Sequence, residues 1–176
     1  MYKKIIILIL LSAGLKNVSS EEKFEFDIPG GHFEKFVESP VSDSQGVECR
    51  VEIKEFRFKD SWGPSFQIIV TGEQESSSVE LSMTRSEDDG YVFYIEAKRN
   101  SEVIYNFPFA GYRGDAKEFT FRLNWRDDGA YVYKVSSEQF FVQGNVIVPG
   151  TKIKALSAFG VGIKGHYICY ETENEG

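Results

Sequence analysis

The feature that most constrains this chain is a strict alternation of large apolar and polar residues near its middle. The apolar positions are Phe119, Phe121, Leu123 and Trp125, and the polar ones are Thr120, Arg122, Asn124 and Arg126. Successive side chains of a β-strand point to opposite faces, so this segment predicts a strand with one dry and one wet side. The segment 47–58 alternates similarly, but its phase changes between Ile53 and Phe56, where we expect a bulge.

Turn signals separate these alternating segments. Asp88-Asp89-Gly90 precedes an apolar run at 91–94, and Asp127-Asp128-Gly129 precedes another at 131–135. Asp and Gly tolerate the positive φ that tight hairpins require. No long segment combines helical periodicity with helix caps. We therefore predict an all-β fold, a two-sheet antiparallel β-sandwich of about ten or eleven short strands.

The N-terminus has the three parts of a secretory signal peptide. Lys3 and Lys4 precede an apolar run at 5–11, and small residues follow at 18–20. The apolar run is too short to span a bilayer. We predict a signal peptide over residues 1–20 and a single secreted, extracellular domain over residues 21–176. A buried N-terminal strand or an anchoring helix is the alternative interpretation of the apolar run.

The charge of the chain narrows the classes of partner. Loss of Lys3, Lys4 and Lys16 with the leader changes the formal charge from −7 to −10. A protein this acidic repels phosphate backbones and anionic lipid headgroups, so we expect no nucleic-acid partner and no membrane insertion. No sequence motif points to a cofactor or to a bound metal, and none is predicted.

The two cysteines, Cys49 and Cys169, lie near opposite ends of the predicted domain. In an oxidising compartment a pair of cysteines favours a disulfide. We predict such a bond, which would join the last strand to an early one and stabilise the fold by roughly 4–5 kcal/mol through loop closure. Two buried thiols are the alternative.

The order of segments in the second half of the chain carries a family resemblance. Its elements are the strand at 119–125, the strand at 131–135, Phe140-Phe-Val-Gln-Gly144, Pro149-Gly150 and the segment 153–160. With Phe107-Pro108-Phe109 and Asp27-Ile-Pro-Gly-Gly31, this order resembles a galectin carbohydrate-recognition domain over most of residues 24–172. The resemblance implies a galectin- or concanavalin A-like jelly roll of two antiparallel sheets, with a ligand groove on one of them.

The sugar-binding motif of that family is replaced in this chain. Matching the strands places Ser82 and Thr84 where galectins carry His and Asn, and Lys98 where they carry the Trp that stacks on galactose. The resemblance therefore implies a secreted lectin-like domain with a diverged groove that binds a glycan, a glycoprotein or a protein surface rather than ordinary β-galactosides. An ordinary wet sheet face is the alternative for the candidate groove residues, which are Ser82, Thr84, Arg85, Lys98, Arg99 and Glu102.

The inventory of reactive groups predicts that the chain is not an enzyme. Only His32 and His166 can act as bases near neutral pH, and neither lies in a motif. Glu25 and Asp27 share a strand face, as glycosidase carboxylates do, but they lie in the N-terminal arm without a third carboxylate. An extracellular structural or protein-interaction module without glycan binding is the alternative function.

Two further sequence features have alternative interpretations. The segment 86–90 has clustered oxygens that suit calcium, but we interpret it as a solvated hairpin tip. Trp62, beside Gly63 and Pro64, either stacks on a sugar or caps the end of the sandwich.

Overall fold

The computed structural model of the chain describes residues 24–41, 45–59, 63–72, 77–88, 90–149 and 152–172. These residues form β-strands joined by turns and loops, without a helix. The described ranges accordingly offer no helical segment with the length and apolarity to cross a bilayer. The predicted leader, residues 1–20, lies outside them.

Twelve strands make up the described part of the chain, and they form two antiparallel six-stranded sheets. The first sheet has the order β1 (Phe24–Asp27), β12 (Ile163–Thr172), β3 (Gly46–Phe56), β8 (Glu118–Trp125), β9 (Ala130–Ser136) and β10 (Phe141–Ile147). The second sheet has the order β2 (Phe33–Pro40), β11 (Ile153–Val161), β4 (Ser65–Gly72), β5 (Ser78–Arg85), β6 (Gly90–Arg99) and β7 (Glu102–Arg113). This architecture confirms the predicted all-β sandwich, with slightly more strands than expected.

The core lies between the sheets and is rich in aromatic rings. Phe66 of the second sheet packs on Phe121 of the first with ring centroids 4.9 Å apart, and Tyr91 meets Phe119 edge-on at 5.2 Å. All four rings are buried. Burying each such side chain contributes roughly 1.5–3 kcal/mol. The two sheets are thus held face to face by apolar contacts that the alternation of the strands creates.

The phase change in β3 is a β-bulge, as predicted. Gly165 of β12 pairs with Ile53 and Lys164 pairs with Glu55, so Lys54 is the extra residue on β3. Gly165 is essential to this close approach, because a Cβ atom there would lie 1.9 Å from the carbonyl oxygen of Glu52. The bulge returns the apolar side chains of β3 to the core face after the slip.

Both predicted Asp-Gly hairpins are present. Between β8 and β9, the carboxylate of Asp128 accepts a hydrogen bond of 3.0 Å from the backbone N–H of Ala130, and Gly129 has a φ of +81°. Between β5 and β6, the N–H of Ser86 donates to the carbonyl of Gly90 at 2.8 Å. Asp89, in that second turn, lies outside the described residues.

The predicted disulfide is also present. Cys49 of β3 and Cys169 of β12 lie directly opposite each other in neighbouring strands and are covalently bonded. Their sequence separation is 120 residues, so the bond closes most of the domain into one loop. The last strand is therefore tied to an early one, in the central part of the first sheet.

Candidate functional site

The outer face of the second sheet, which we call the second-sheet face, points away from the core. The strand register places its central residues in two rows across the sheet. One row contains Phe159, Gln67, Ser82, Tyr94 and Pro108, and the next contains Ser157, Ile69, Glu80, Glu96 and Asn106. Neighbouring residues in a row lie on adjacent strands, so their side chains are close enough to contact one ligand together.

Small residues form the floor of the second-sheet face. Ser65, Ser82 and Ser157 retain only 5%, 7% and 8% of their accessible surface although they point away from the core. A serine is short, so larger neighbours such as Tyr94 and Gln67 project beyond it and cover it. Short side chains with buried hydroxyl groups therefore alternate with longer side chains along this face.

Aromatic rings stand on both sides of this floor. Phe33 of β2 stacks on Phe159 of β11 with ring centroids 4.9 Å apart, and more than half of the Phe33 surface is exposed. Tyr94 lies in the same row as Phe159, three strands away across the sheet. With strands spaced about 4.8 Å apart, the two rings are separated by roughly 14 Å, with Gln67 and Ser82 between them.

A pair of carboxyl groups lies beside this row. Glu80 of β5 and Glu96 of β6 are directly opposite each other on the second-sheet face. Burial, and then the charge of Glu96, raise the pKa of the Glu80 carboxyl above its ordinary value. Glu96 is bound by two donors: the ammonium of Lys98 at 2.5 Å and the side-chain amide of Asn106 at 2.9 Å. Glu80 thus retains its proton to a higher pH than a solvent-exposed glutamate.

Three of the sequence-predicted groove residues lie on this face, although Lys98 is opposite Ser78, well along the strands from Ser82 and Thr84. Ser82 and Thr84 alternate on β5, and Lys98 lies on the neighbouring strand, where its hydrogen bond to Glu96 raises the pKa of its ammonium. Arg99 and Glu102 are instead exposed on either side of the β6–β7 turn, opposite each other. They are at the end of the groove rather than along it.

Arg85 does not lie in the groove, contrary to its assignment as a groove residue. It follows the phase of Met83 and points toward the core, with only 6% of its surface exposed. Its guanidinium lies over the rings of Phe56 and Tyr91, with its central carbon 4.9 and 4.5 Å from their centroids, and donates a 3.1 Å hydrogen bond to the carbonyl of Gly114. The apolar stem of Arg85 packs at the end of the core, and its planar guanidinium binds the two rings and the carbonyl there.

Tyr94, Glu80 and Glu96 are candidate site residues that no motif in the sequence indicates. The two carboxyl groups come from the two strands of one hairpin rather than from a single strand. Glu80 and Glu96 lie at equal distances along the chain on either side of Asp88, at the β5–β6 turn. Counting outward from the predicted Asp-Gly turn would therefore have paired them.

The outer face of the first sheet has a cleft of about 480 Å³, bounded by Arg50, Glu52, Glu118, Thr120 and His166 among others. Its charges are largely paired with one another. His166 lies 3.7 Å from the carboxylate of Glu25 and 3.9 Å from that of Glu52, and Arg50 donates to Glu48 at 3.1 Å. Polar side chains that contact one another in this way are typical of a solvated face, so the volume of the cleft does not make it the better candidate.

Neither of the remaining sequence candidates adds a site. Trp62 lies outside the described residues, and so does Asp89 of the segment 86–90. The part of the chain that the structure describes contains no group of three or more His, Cys, Asp or Glu side chains placed to hold a metal ion.

Comparison with known proteins places the fold. No protein-family model matches the sequence, and no curated protein matches it significantly. A functionally unknown protein of Saccharomyces cerevisiae has a similar structure, with a TM-score of 0.58 and 14% identity over 88% of each chain. Galectin LEC-6 of Caenorhabditis elegans is similar with a TM-score of 0.52 and 10% identity, over 88% of this chain and 99% of the galectin.

The prediction that the chain is not an enzyme is wrong, because enzymes share this sandwich. Scytalido-glutamic peptidase matches with a TM-score of 0.52 and 7% identity, over 76% of this chain and 72% of the peptidase. The prediction depended on histidines and on carboxylates within one strand, and it did not consider acidic pairs that adjacent strands bring together. At these identities the similarity concerns the fold alone: the chain has the two-sheet β-sandwich fold that galectins have.

Proposed function

We propose that this protein is a secreted carbohydrate-binding domain that holds a glycan on the second-sheet face. The observation that carries this proposal is the combination, on one face of the described structure, of partly exposed aromatic rings and hydroxyl groups between them. A sugar ring has an apolar C–H face and a rim of hydroxyls, so it needs both kinds of group. The fold shared with galectins supports the proposal.

Each part of the groove has a distinct role in the proposed complex. Tyr94 offers an aromatic face for stacking, and the exposed ring of Phe33, which stacks on the half-buried Phe159, offers a second one across the sheet. Gln67 has both a donor and an acceptor between them, while Glu80 in its protonated form can also donate to a sugar oxygen. The spacing of roughly 14 Å between Tyr94 and Phe159 suits an oligosaccharide rather than a single sugar ring.

The ligand we propose is not an ordinary β-galactoside. In the resemblance to galectins, Ser82, Thr84 and Lys98 replace the His, Asn and Trp of the sugar motif, and Lys98 is bonded to Glu96. The charged head of a lysine cannot stack on a galactose face as an indole does. The second-sheet face instead carries its aromatic ring at Tyr94, closer to the centre of the strand.

Secretion is part of the same proposal. The predicted signal peptide over residues 1–20 supports it, and the Cys49–Cys169 bond is compatible with it because disulfides persist in oxidising compartments. The domain over residues 21–176 would then be the mature protein.

A glycan array probed with the purified chain, followed by titration calorimetry on the best ligand, tests the proposal. We expect binding to a restricted set of oligosaccharides, and Tyr94→Ala to weaken the affinity by about tenfold through loss of stacking. Tyr170→Ala on the first sheet is the matched control and leaves the affinity unchanged. Selective binding of lactose would contradict the diverged groove.

Failure to bind any glycan, together with a stable complex with a protein, would favour the interaction-module alternative. The proposed glycan ligand would then be wrong, and the description of the fold would be unaffected. Equal affinities of the wild type and Tyr94→Ala for a bound glycan would place the site elsewhere on the molecule.

The carboxyl pair supports a second candidate function, hydrolysis of a glycan held on the same face. Two opposed glutamates with different environments are the arrangement by which retaining glycosidases divide acid and nucleophile roles. Side chains directly opposite on adjacent strands have Cβ atoms about 4.5–5.5 Å apart, so their carboxyl groups can adopt the separation of about 5–5.5 Å that retaining glycosidases use.

The chemistry would proceed in two balanced steps. The Glu96 carboxylate attacks the anomeric carbon while Glu80 gives its proton to the glycosidic oxygen, so the C–O bond breaks and the first product leaves. Glu80 then removes a proton from water, whose oxygen displaces Glu96 and releases the second product. The raised pKa of Glu80 suits the acid role.

Release of reducing ends from the array ligand, measured by product analysis, tests this second candidate. We expect release by the wild type and its loss in both Glu80→Gln and Glu96→Gln, while Glu52→Gln on the first sheet retains it. A glycan that binds without any release would leave the binding function and eliminate the hydrolytic one.

A further inference from the structure

Four strands lie at the edges of the two described sheets, and they differ in how they are protected. An edge strand presents unpaired backbone groups to other chains, and proteins block such pairing with charges, prolines or bulges. β1 is short and carries Glu25 and Asp27, and β2 carries charges, Pro40 and a register shift against β11. β7 contains Pro108 and shows two register shifts against β6.

β10 has none of these protections. Its seven residues, Phe-Val-Gln-Gly-Asn-Val-Ile, include no charge and no proline, and its register with β9 is uninterrupted. Phe141 and Ile147 are each 61% exposed at its two ends. In the part of the chain that the structure describes, β10 pairs on one side only.

The sequence of β10 is self-complementary about Gly144. Read in both directions from this glycine, it presents an amide side chain, then valine, then a large apolar residue. In an antiparallel pair of two such strands centred on Gly144, Gln143 would face Asn145, and Phe141 would face Ile147. Matched amides and matched apolar side chains are favourable cross-strand neighbours.

The backbone of β10 is oriented correctly for such a pair. At one end the N–H of Val148 donates to Gly129 at 2.8 Å, and at the other Phe140 accepts from the N–H of Ser137 at 3.0 Å. In an antiparallel ladder, alternate residues bond to the same neighbour, so the even-numbered residues of β10 face β9. The N–H and C=O groups of the odd-numbered residues, Phe141, Gln143, Asn145 and Ile147, therefore point to the open edge.

We propose that β10 pairs with β10 of a second copy of this chain, antiparallel about a two-fold axis at Gly144. Phe141 then exchanges backbone hydrogen bonds with Ile147 of its partner, as does Gln143 with Asn145, and the two first sheets become one continuous sheet. A two-fold contact uses the same patch on both copies, so the assembly closes at a dimer. The other edges, being protected, do not extend it.

We propose a second copy of the chain as the partner because the sequence of β10 is complementary to β10 itself. A different extended segment would need the same central small residue and the same order of amide and apolar side chains to satisfy both halves of the strand. The contact involves few residues outside the two strands, so we expect a small interface and a reversible dimer with a dissociation constant in the micromolar range. This inference is independent of the glycan-binding proposal.

Sedimentation equilibrium of the purified chain and of charge variants tests the dimer. Gln143 and Asn145 are exposed, so substitutions there leave the core unchanged. The double variant Gln143→Lys with Asn145→Lys places positive charges opposite each other, and we expect its dissociation constant to rise about tenfold or more. Gln143→Glu with Asn145→Lys places opposite charges across the axis and restores the dimer. Val103→Lys on the edge strand β7 is the matched control.

The double variant Gln143→Glu with Asn145→Lys also tests the register, because pairing each of these positions with itself would place like charges opposite each other. A second pair of variants tests the contact between the two copies. A mixture of the double variant Gln143→Lys with Asn145→Lys and the double variant Gln143→Glu with Asn145→Glu should form heterodimers, although neither variant pairs with itself. A wild-type chain that stays monomeric at 100 µM or above, on the order of a hundred times the low-micromolar range, would overturn the proposal. A dimer that the two lysine substitutions leave intact would overturn it equally, with circular dichroism confirming that the variants are folded.

Discussion

The outer faces of the two sheets differ in how their polar groups are satisfied. On the first sheet, charged side chains from neighbouring strands are paired, as with Lys164 of β12 and Asp27 of β1. On the second-sheet face, the central positions are hydroxyls, an amide and aromatic rings, and the two carboxyl groups of Glu80 and Glu96 face each other.

The difference shows what each sheet contributes. A face whose charges neutralise one another is stable in water without a ligand. On the second-sheet face, Glu96 is bound by Lys98 and Asn106, but burial and the charge of Glu96 disfavour ionisation of Glu80. The covalent cross-link also lies in the first sheet. We therefore expect substitutions in the first sheet to alter stability and substitutions on the second-sheet face to alter binding.

The largest effect should come from removing the disulfide. Replacement of Cys49 and Cys169 by alanine reopens a loop of 120 residues, and the loop-closure model gives a loss of roughly 4–5 kcal/mol in the free energy of unfolding. Guanidinium denaturation measures this loss. Glycan affinity of the folded variant should be unchanged. A large loss of affinity would show that the first sheet contributes to binding as well as to stability.

The next largest effect should come from Arg85, which lies on the core side of the second sheet. Arg85→Ala removes the hydrogen bond to Gly114 and the contacts with Phe56 and Tyr91, at a cost of roughly 2–3 kcal/mol in unfolding free energy. Burial raises the pKa of Tyr91 to about 12, so the Tyr91 hydroxyl stays protonated and continues to donate to Ala116. Thermal unfolding together with glycan titration separates the expected stability loss from the affinity, which should not change.

A smaller, pH-dependent effect should come from Glu80. Because its pKa is raised in the folded state, ionisation of Glu80 destabilises the fold as pH increases from its ordinary value of 4.5 through the raised one. Glu80→Gln should therefore be more stable than the wild type near neutral pH and equal to it below pH 4.5. Glu96→Gln should give part of the same gain, and denaturation curves that do not separate with pH would argue against a poorly solvated pair.

The smallest effect should come from the ion-pair network at the edge of the first sheet. Lys164 and Arg57 both bind Asp27 and lower the pKa of its carboxyl, with the hydrogen bond from Lys164 as the larger cause. The network is exposed to solvent, which screens its charges. Asp27→Asn should change the unfolding midpoint only slightly, and less at high salt than at low salt; a salt-independent loss would show that the first face depends on its charges more than we infer.

Much of the fold follows from local signals in the sequence. Alternation predicts the strand at 119–125 because one of its faces is buried against the opposite sheet. The phase change after Ile53 predicts the bulge at Lys54, since only an extra residue returns the next apolar side chain to the core. Turn chemistry likewise predicts the hairpin at Gly129, where the backbone needs a positive φ.

The site was less accessible from sequence because it depends on register between strands. The resemblance to galectins predicts Arg85 in the groove with Ser82 and Thr84. Adjacent residues of a strand face opposite sides of the sheet, however, and the guanidinium of Arg85 lies over aromatic rings of the core. Tyr94 and Glu96 acquire meaning only once β6 is aligned against β5. Alternation along a strand determines which side of the sheet a side chain occupies. The register between strands determines which residues lie beside it.

The bond between Cys49 and Cys169 also changes what proteolysis can do to this molecule. A cut in an exposed turn, such as between Asp127 and Asp128, would divide the polypeptide into two pieces, yet each piece contains one of the bonded cysteines. The nicked molecule would remain one covalent unit and would separate only after reduction, so digestion at this turn releases neither half.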